Sequence, residues 1–180
     1  VVYDPRANDG KGEAWALDYR ETSPTGVGPD YYESQPETAS GYRPSLYGGR
    51  AAGVPGEIPG LLAAHGRWGV LSLAEVMEPA IRAARDGFTI DASYAGAVQR
   101  VKFIRKAHPD LRPASAWLWR HLCGSGDLKI GDRLKQPELA SFLSRVAQHG
   151  LEVWNGNSPE NAAPLVAGVD RAFDGVMTAK

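Results

Sequence analysis

The stretch Ser72-Leu73-Ala74-Glu75-Val76-Met77-Glu78-Pro79-Ala80-Ile81-Arg82-Ala83-Ala84-Arg85-Asp86-Gly87 decides the kind of fold this chain adopts. Ser72 can accept from the third helical amide while Glu75 reaches back to the amide of Ser72, which is a capping box. Behind it Val76, Met77, Ala80, Ile81 and Ala84 recur at helical spacing. Gly87 stands where a helix leaves into a left-handed residue. The stretch therefore predicts an amphipathic helix with a defined start and stop. Pro79 lacks an amide hydrogen and crowds the carbonyl four residues back, so a break or kink is predicted there.

Downstream the same signals repeat. A helix is predicted near Ala92 to Ala107, and a short one over Ala114 to Leu122 with Trp117, Leu118 and Trp119. Pro137 sits at the first position of another, whose stripe is Leu139, Phe142, Leu143, Val146 and Ala147 before Gly150. Pro159 to Phe173 reads as a last helix, with Leu165, Val166, Val169 and Phe173 inward. Upstream, the chain turns helical from Gly56, with Leu61, Leu62, Ala64 and Trp68 on one side and Gly66 and Gly69 as stops. Before that, Ser23 to Pro55 carries five prolines and Tyr31, Tyr32, Tyr42 and Tyr47 without any period. So long a connection is either a surface excursion pinned by tyrosines or the border of a ligand pocket. Residues 1–22 predict a β-hairpin turning at Asn8-Asp9-Gly10, with Glu13 to Glu21 as the returning strand and Arg20 near its end.

Composition fits one globular domain. Of 180 residues 43% are hydrophobic and 23% charged, so disorder and coiled coil are poor fits. The formal net charge is -1, with no basic excess of the kind nucleic acid selects. The densest basic run, Arg100, Lys102, Arg105, Lys106, His108 and Arg112, predicts the solvated face of a helix. Cys123 stands alone and the four histidines are scattered, so neither a disulfide nor a zinc site is predicted, and no cofactor is called for. No apolar run reaches the 18 or so residues a membrane span needs.

Signals for chemistry are sparse. No Ser, His and Asp arrangement announces itself, no nucleophile elbow occurs, and Gly124-Ser125-Gly126 lacks the lysine of a phosphate loop. One side chain stands out. Arg20, in Asp18-Tyr19-Arg20-Glu21-Thr22, lies just before the long loop. A guanidinium can hold a carboxylate by two parallel hydrogen bonds. By residue type alone a surface ion pair to Asp18 or Glu21 is the favoured reading.

Several segments read together are more specific. Leu17-Asp18-Tyr19-Arg20-Glu21-Thr22-Ser23-Pro24 resembles the strand motif of γ-glutamyltranspeptidases. Gly53-Val54-Pro55-Gly56-Glu57-Ile58-Pro59-Gly60-Leu61 resembles the family's second hallmark. Trp68-Gly69, then Glu78-Pro79-Ala80-Ile81-Arg82 and Ala84-Arg85-Asp86-Gly87-Phe88, continue in the family's order. Gly131 to Ala140, Gly150-Leu151-Glu152-Val153-Trp154-Asn155-Gly156 and Gly175-Val176-Met177-Thr178 are similar to later family segments. Asp174 replaces the first glycine of the last of these, and Ser158-Pro159-Glu160 departs from the pattern after Asn157.

The resemblance implies an α+β fold, part of the αββα sandwich of N-terminal nucleophile hydrolases, with this segment mostly α-helical behind an N-terminal β-hairpin. It implies a precursor that cuts itself into large and small subunits. The new N-terminal Thr of the small subunit then attacks a γ-glutamyl amide, its own α-amine acting as base. On this reading residues 1–180 are an internal segment of the large subunit: hairpin strands over 1–24, a long loop over 25–55 and a helical region over 56–180. Val1 and Lys180 are expected to cut through ordered structure. Arg20 matches the family arginine that grips the α-carboxylate of the γ-glutamyl group, with Asp18 and Glu21 as candidate orienters. No catalytic residue is expected in the chain, since Thr22, Thr25, Thr38, Thr89 and Thr178 all lie outside a nucleophile context. Its partners would be the small catalytic subunit and a γ-glutamyl small molecule, with neither nucleic acid nor a membrane span. A periplasmic or secreted location is favoured over the cytoplasm. A glutaryl (cephalosporin) acylase on the same scaffold and a non-catalytic binding domain are the alternatives.

Overall fold

The computed structural model describes residues 1–24 and 27–154. The expected last helix and the Gly175–Thr178 segment lie outside the described residues. The chain is α+β, with helices on one short ladder and a separate hairpin. The hairpin pairs β1 (Val2–Asp4) with β2 (Glu13–Trp15), Val2 facing Trp15 and Asp4 facing Glu13. Asn8 and Asp9 both take positive φ, 53° and 54°, as their side chains tolerate, so the turn sits where the sequence places it. The returning strand does not reach Glu21. Arg20 lies in irregular backbone and not at the end of a strand.

Helix α1 (Glu57–Trp68) runs through Gly66, which does not stop it, and ends when the Gly69 amide donates to the His65 carbonyl at 2.7 Å. The hairpin leans on its last turn. Trp15 and Trp68 are 6.2 Å apart, and the Arg67 guanidinium lies 3.7 Å from the Trp15 ring centre.

The capping box opens helix α2 (Leu73–Asp86) as expected: Glu75 N donates to Ser72 Oγ at 3.3 Å and Ser72 N to Glu75 Oε2 at 2.8 Å. Pro79 does not break this helix. Its ring is exposed, and the carbonyl it leaves unbonded belongs to Glu75 in the first turn, so the rest of the ladder closes without it. The inward stripe is Leu73, Met77, Ile81 and Ala84, whereas Val76 is half exposed. Helix α5 (Pro137–His149) packs against α2, burying Ala140 and Val146. Leu139, an expected stripe residue, is partly exposed, whereas Ala140 one position on is buried.

The carbonyls at the end of α2 are satisfied from the segment entering α5. Gln136 N donates to Ala84 O at 2.8 Å and Arg133 Nε to Asp86 O at 2.9 Å. Between the two helices β3 (Phe88–Thr89) pairs antiparallel with β4 (Arg133–Leu134). Two residues are too few to show a period of two, so sequence pattern does not reveal this ladder.

Helix α3 (Ala92–Ala107) is capped by Asp91, which accepts from Tyr94 N at 2.7 Å. Arg100, Lys102 and Lys106 stand in solvent, as a solvated face predicts. Arg105 instead donates to Arg112 O at 3.0 Å and lies 5.0 Å from the Trp119 ring centre. Helix α4 (Ala116–His121) and helix α6 (Leu151–Trp154) complete the order. Ile90, Val98 and Val153 are the most deeply buried side chains. Among the described residues no helix is long and apolar enough to cross a membrane.

Candidate site around Arg20

The segment carrying Arg20 is held by a row of glycines. A Cβ built on Gly60 would stand 2.2 Å from Tyr19 Cβ, and one on Gly56 2.5 Å from the Tyr19 carbonyl oxygen. One on Gly53 would stand 2.8 Å from Glu21 Cγ and 3.1 Å from the Thr22 carbonyl oxygen. Gly56 and Gly60 are four apart, so they present one face at the start of α1. Next to this seat, Thr22 and Val54 form a bridge, with Val54 N donating to Thr22 O at 2.8 Å and Thr22 N to Val54 O at 3.3 Å. Backbone residues 19–22 are thus fixed by contact and by hydrogen bonds, although they belong to no extended strand.

On this seat the Arg20 side chain is 82% exposed. Its Nη2 donates to Glu21 Oε1 at 2.8 Å. That bond raises the guanidinium pKa and, reciprocally, lowers that of the Glu21 carboxyl, so both stay charged. Asp18 behaves differently. Its carboxylate accepts from the backbone amide of Arg20 at 3.3 Å and shapes the turn. Of the two candidate orienters, only Glu21 reaches the guanidinium. Chemically, the arrangement offers an anchored, permanently charged fork whose bound carboxylate can be exchanged for another.

The long loop leaves this site at Thr22 and returns to it at Val54, so its two ends meet. Tyrosines pin part of it. Tyr32 Oη donates to Arg50 O at 2.6 Å, and the rings of Tyr42 and Tyr47 flank His108, each at 5.9 Å. Ser40 completes the attachment: its hydroxyl donates to Asp110 Oδ1, its amide donates to Asp110 Oδ2 at 3.2 Å, and His108 Nδ1 lies 3.0 Å from Oγ. Ser40, His108 and Asp110 are 68 and 70 residues apart in sequence, so no local motif announces them. They do not form a nucleophilic triad. The hydroxyl proton goes to Asp110 and not to the imidazole, so no base stands ready to activate Oγ. Asp110 is held below the usual carboxylate range by the Ser40 hydroxyl. Among the described residues no cluster of three His, Cys, Asp or Glu side chains could hold a metal.

Known structures share this architecture. A gamma-glutamyltranspeptidase of Helicobacter pylori, 24% identical, superposes over 98% of the chain and 47% of its own with a TM-score of 0.70. The gamma-glutamyltranspeptidase of Pseudomonas nitroreducens complexed with L-DON is 30% identical, with a TM-score of 0.66 over 89% of this chain and 44% of its own. The gamma-glutamyltranspeptidase family matches residues 6–180, and the chain belongs to that family. Relatives include the glutathione hydrolase proenzyme of Bacillus subtilis (strain 168), 30% identical over 100% of this chain. That of Pseudomonas aeruginosa is 33% identical over 83%. The chain spans 28% and 25% of the length of these two relatives.

Proposed function

We propose that this chain supplies the carboxylate grip of an enzyme that cleaves the γ-glutamyl amide of glutathione-like donors and passes the acyl group to water or an amino acid. The observation that carries the reading is Arg20: a charged fork on an anchored backbone, inside the Leu17–Pro24 segment that resembles the family motif. The family membership and the glutathione hydrolase relatives support this substrate over a glutaryl acyl group or a non-catalytic role.

In the reaction Arg20 would exchange Glu21 for the α-carboxylate of the donor, bonding it through two N–H groups. Holding that end fixes the γ-carbonyl against the nucleophile, where misplacement by about 1 Å can cost 100-fold in rate. The Thr nucleophile and its α-amine base belong to the small subunit that a precursor releases, and the chain alone is inactive. Attack by the Thr hydroxyl forms a γ-glutamyl ester and expels the amine. The hydroxyl proton passes through the α-amine to the leaving nitrogen. Residues 1–24, 25–55 and 56–180 then act as one segment of the large subunit in an αββα sandwich of the N-terminal nucleophile type.

The test uses the full-length gene product and γ-glutamyl-p-nitroanilide. Arg20→Ala should lower kcat/KM by about 10- to 100-fold. Arg20→Lys should keep the charge, lose the fork and raise KM. Wild-type activity in Arg20→Ala, or no turnover by the full-length protein, would remove the reading.

A further inference from the structure

We propose that Gly53, Gly56 and Gly60 are positioning residues for Arg20, three gaps in the surface of helix α1 and its approach that set where the guanidinium stands. The inference rests on the reading of Arg20 as the γ-glutamyl carboxylate grip.

Each glycine meets a different part of one short segment. Gly60 faces the Tyr19 side chain at its Cβ, Gly56 the Tyr19 carbonyl, and Gly53 both the Glu21 side chain and the Thr22 carbonyl. Together they contact the backbone on either side of Arg20. Tyr19 Cβ and the two carbonyl oxygens are rigid parts of the chain, so an added methyl cannot be relieved by turning a flexible side-chain end. The segment must lift instead, and Arg20 with it. None of the three glycines takes a positive φ of the kind that demands glycine, so the requirement is for space and not for backbone freedom. Helix propensity points the other way, since alanine is favoured over glycine inside a helix. At Gly60 a glycine is therefore retained against the local preference of α1. Gly66 on the same helix is the internal contrast, because a Cβ there meets nothing within 4 Å.

The segment has few other ties. The β1–β2 ladder pairs Glu13–Trp15, and the bridge from Thr22 to Val54 is the only β-pairing of residues 17–22 among the described residues. Displacement of the segment would leave Arg20 charged and exposed but aimed elsewhere, which weakens donor binding before it harms bond cleavage.

The experiment compares Gly60→Ala, Gly53→Ala and Gly66→Ala in the full-length protein, alone and combined with Arg20→Ala, using γ-glutamyl-p-nitroanilide. Gly60→Ala should raise KM about tenfold or more with kcat changed less than about threefold. Gly53→Ala, whose nearest contact is a side chain, should raise KM by a smaller factor of about three, and Gly66→Ala should leave KM within about twofold. In the Arg20→Ala background the Gly60→Ala effect should vanish, because a displaced grip cannot matter once the grip is gone. Equal KM values for Gly60→Ala and Gly66→Ala would overturn the proposal, as would a Gly60→Ala loss of undiminished size without Arg20. Should Gly60→Ala fail to fold, Gly53→Ala carries the same cycle. An Arg20→Ala protein with wild-type KM would instead refute the role of Arg20 itself, a separate result.

Discussion

Replacing Gly87 by alanine tests how the end of α2 is built. Gly87 has φ 91° and ψ 156°, a region open in practice to glycine alone. Forcing alanine there costs about 1–3 kcal/mol in backbone strain. A second cost comes from the neighbours. The new Cβ would stand 2.9 Å from the Leu134 carbonyl oxygen and from Lys135 Cγ, and 3.0 Å from Arg133 Cγ. Leu134 cannot retreat freely, since it is paired with Phe88 and its side chain is buried. Crowding of this kind costs about 1–3 kcal/mol more. Gly131 separates the two terms: it also has φ 91°, but a Cβ there meets nothing within 4 Å. Gly131→Ala should therefore be free of the crowding. At roughly 2–4 °C per kcal/mol for a unit of 150–250 residues, the crowding should make Gly87→Ala melt about 2–12 °C below Gly131→Ala. Thermal unfolding followed by circular dichroism reads both. Equal melting temperatures would refute the close approach, and a neutral Gly87→Ala would refute the strain argument too.

The capping box should make α2 sensitive to acid. Bonds from Ser72 hold the Glu75 carboxyl below its ordinary value. A group depressed in the folded state stabilises fully above its unfolded pKa, roughly 4.3, and that contribution is lost as pH falls through the lower folded value. Melting temperature should therefore drop on acidification below about pH 4.3, and Glu75→Gln should flatten that part of the profile; an unchanged profile counts against the box. Ser40→Ala removes the hydroxyl shared by Asp110 and His108, so limited proteolysis should cut faster within residues 27–52. Cleavage at the wild-type rate would show that the tyrosine contacts suffice to hold the loop.

Much of the helical half was legible because its signals are local. The Ser72–Glu75 box, Pro137 at a first turn and the bounds Ala92 to Ala107 each depend on residues within a turn or two of one another. Errors arose where a local rule met a tertiary circumstance. Pro79 breaks no helix because its cost falls in a first turn at the surface. Gly66 ends nothing, because a glycine in open space only weakens a helix. The returning strand is paired only over Glu13–Trp15, because the loose alternation of residues 13–21 does not say which of them find a partner strand.

The site divides along the same line. Sequence by itself determined that a guanidinium sits beside two carboxylates ahead of a long loop, and the motif order pointed to the family. It did not show which carboxylate the guanidinium meets, nor that Gly53, Gly56 and Gly60 do more than punctuate the chain. Those depend on the approach of residues 19–22 to the start of α1, across some forty positions of sequence. Ser40 and Asp110 lie farther apart still. A hydrogen bond or a steric gap is decided by distances of a few tenths of an ångström between remote segments. Only the folded packing sets such distances, whereas helix caps and apolar periods are properties of the local chain.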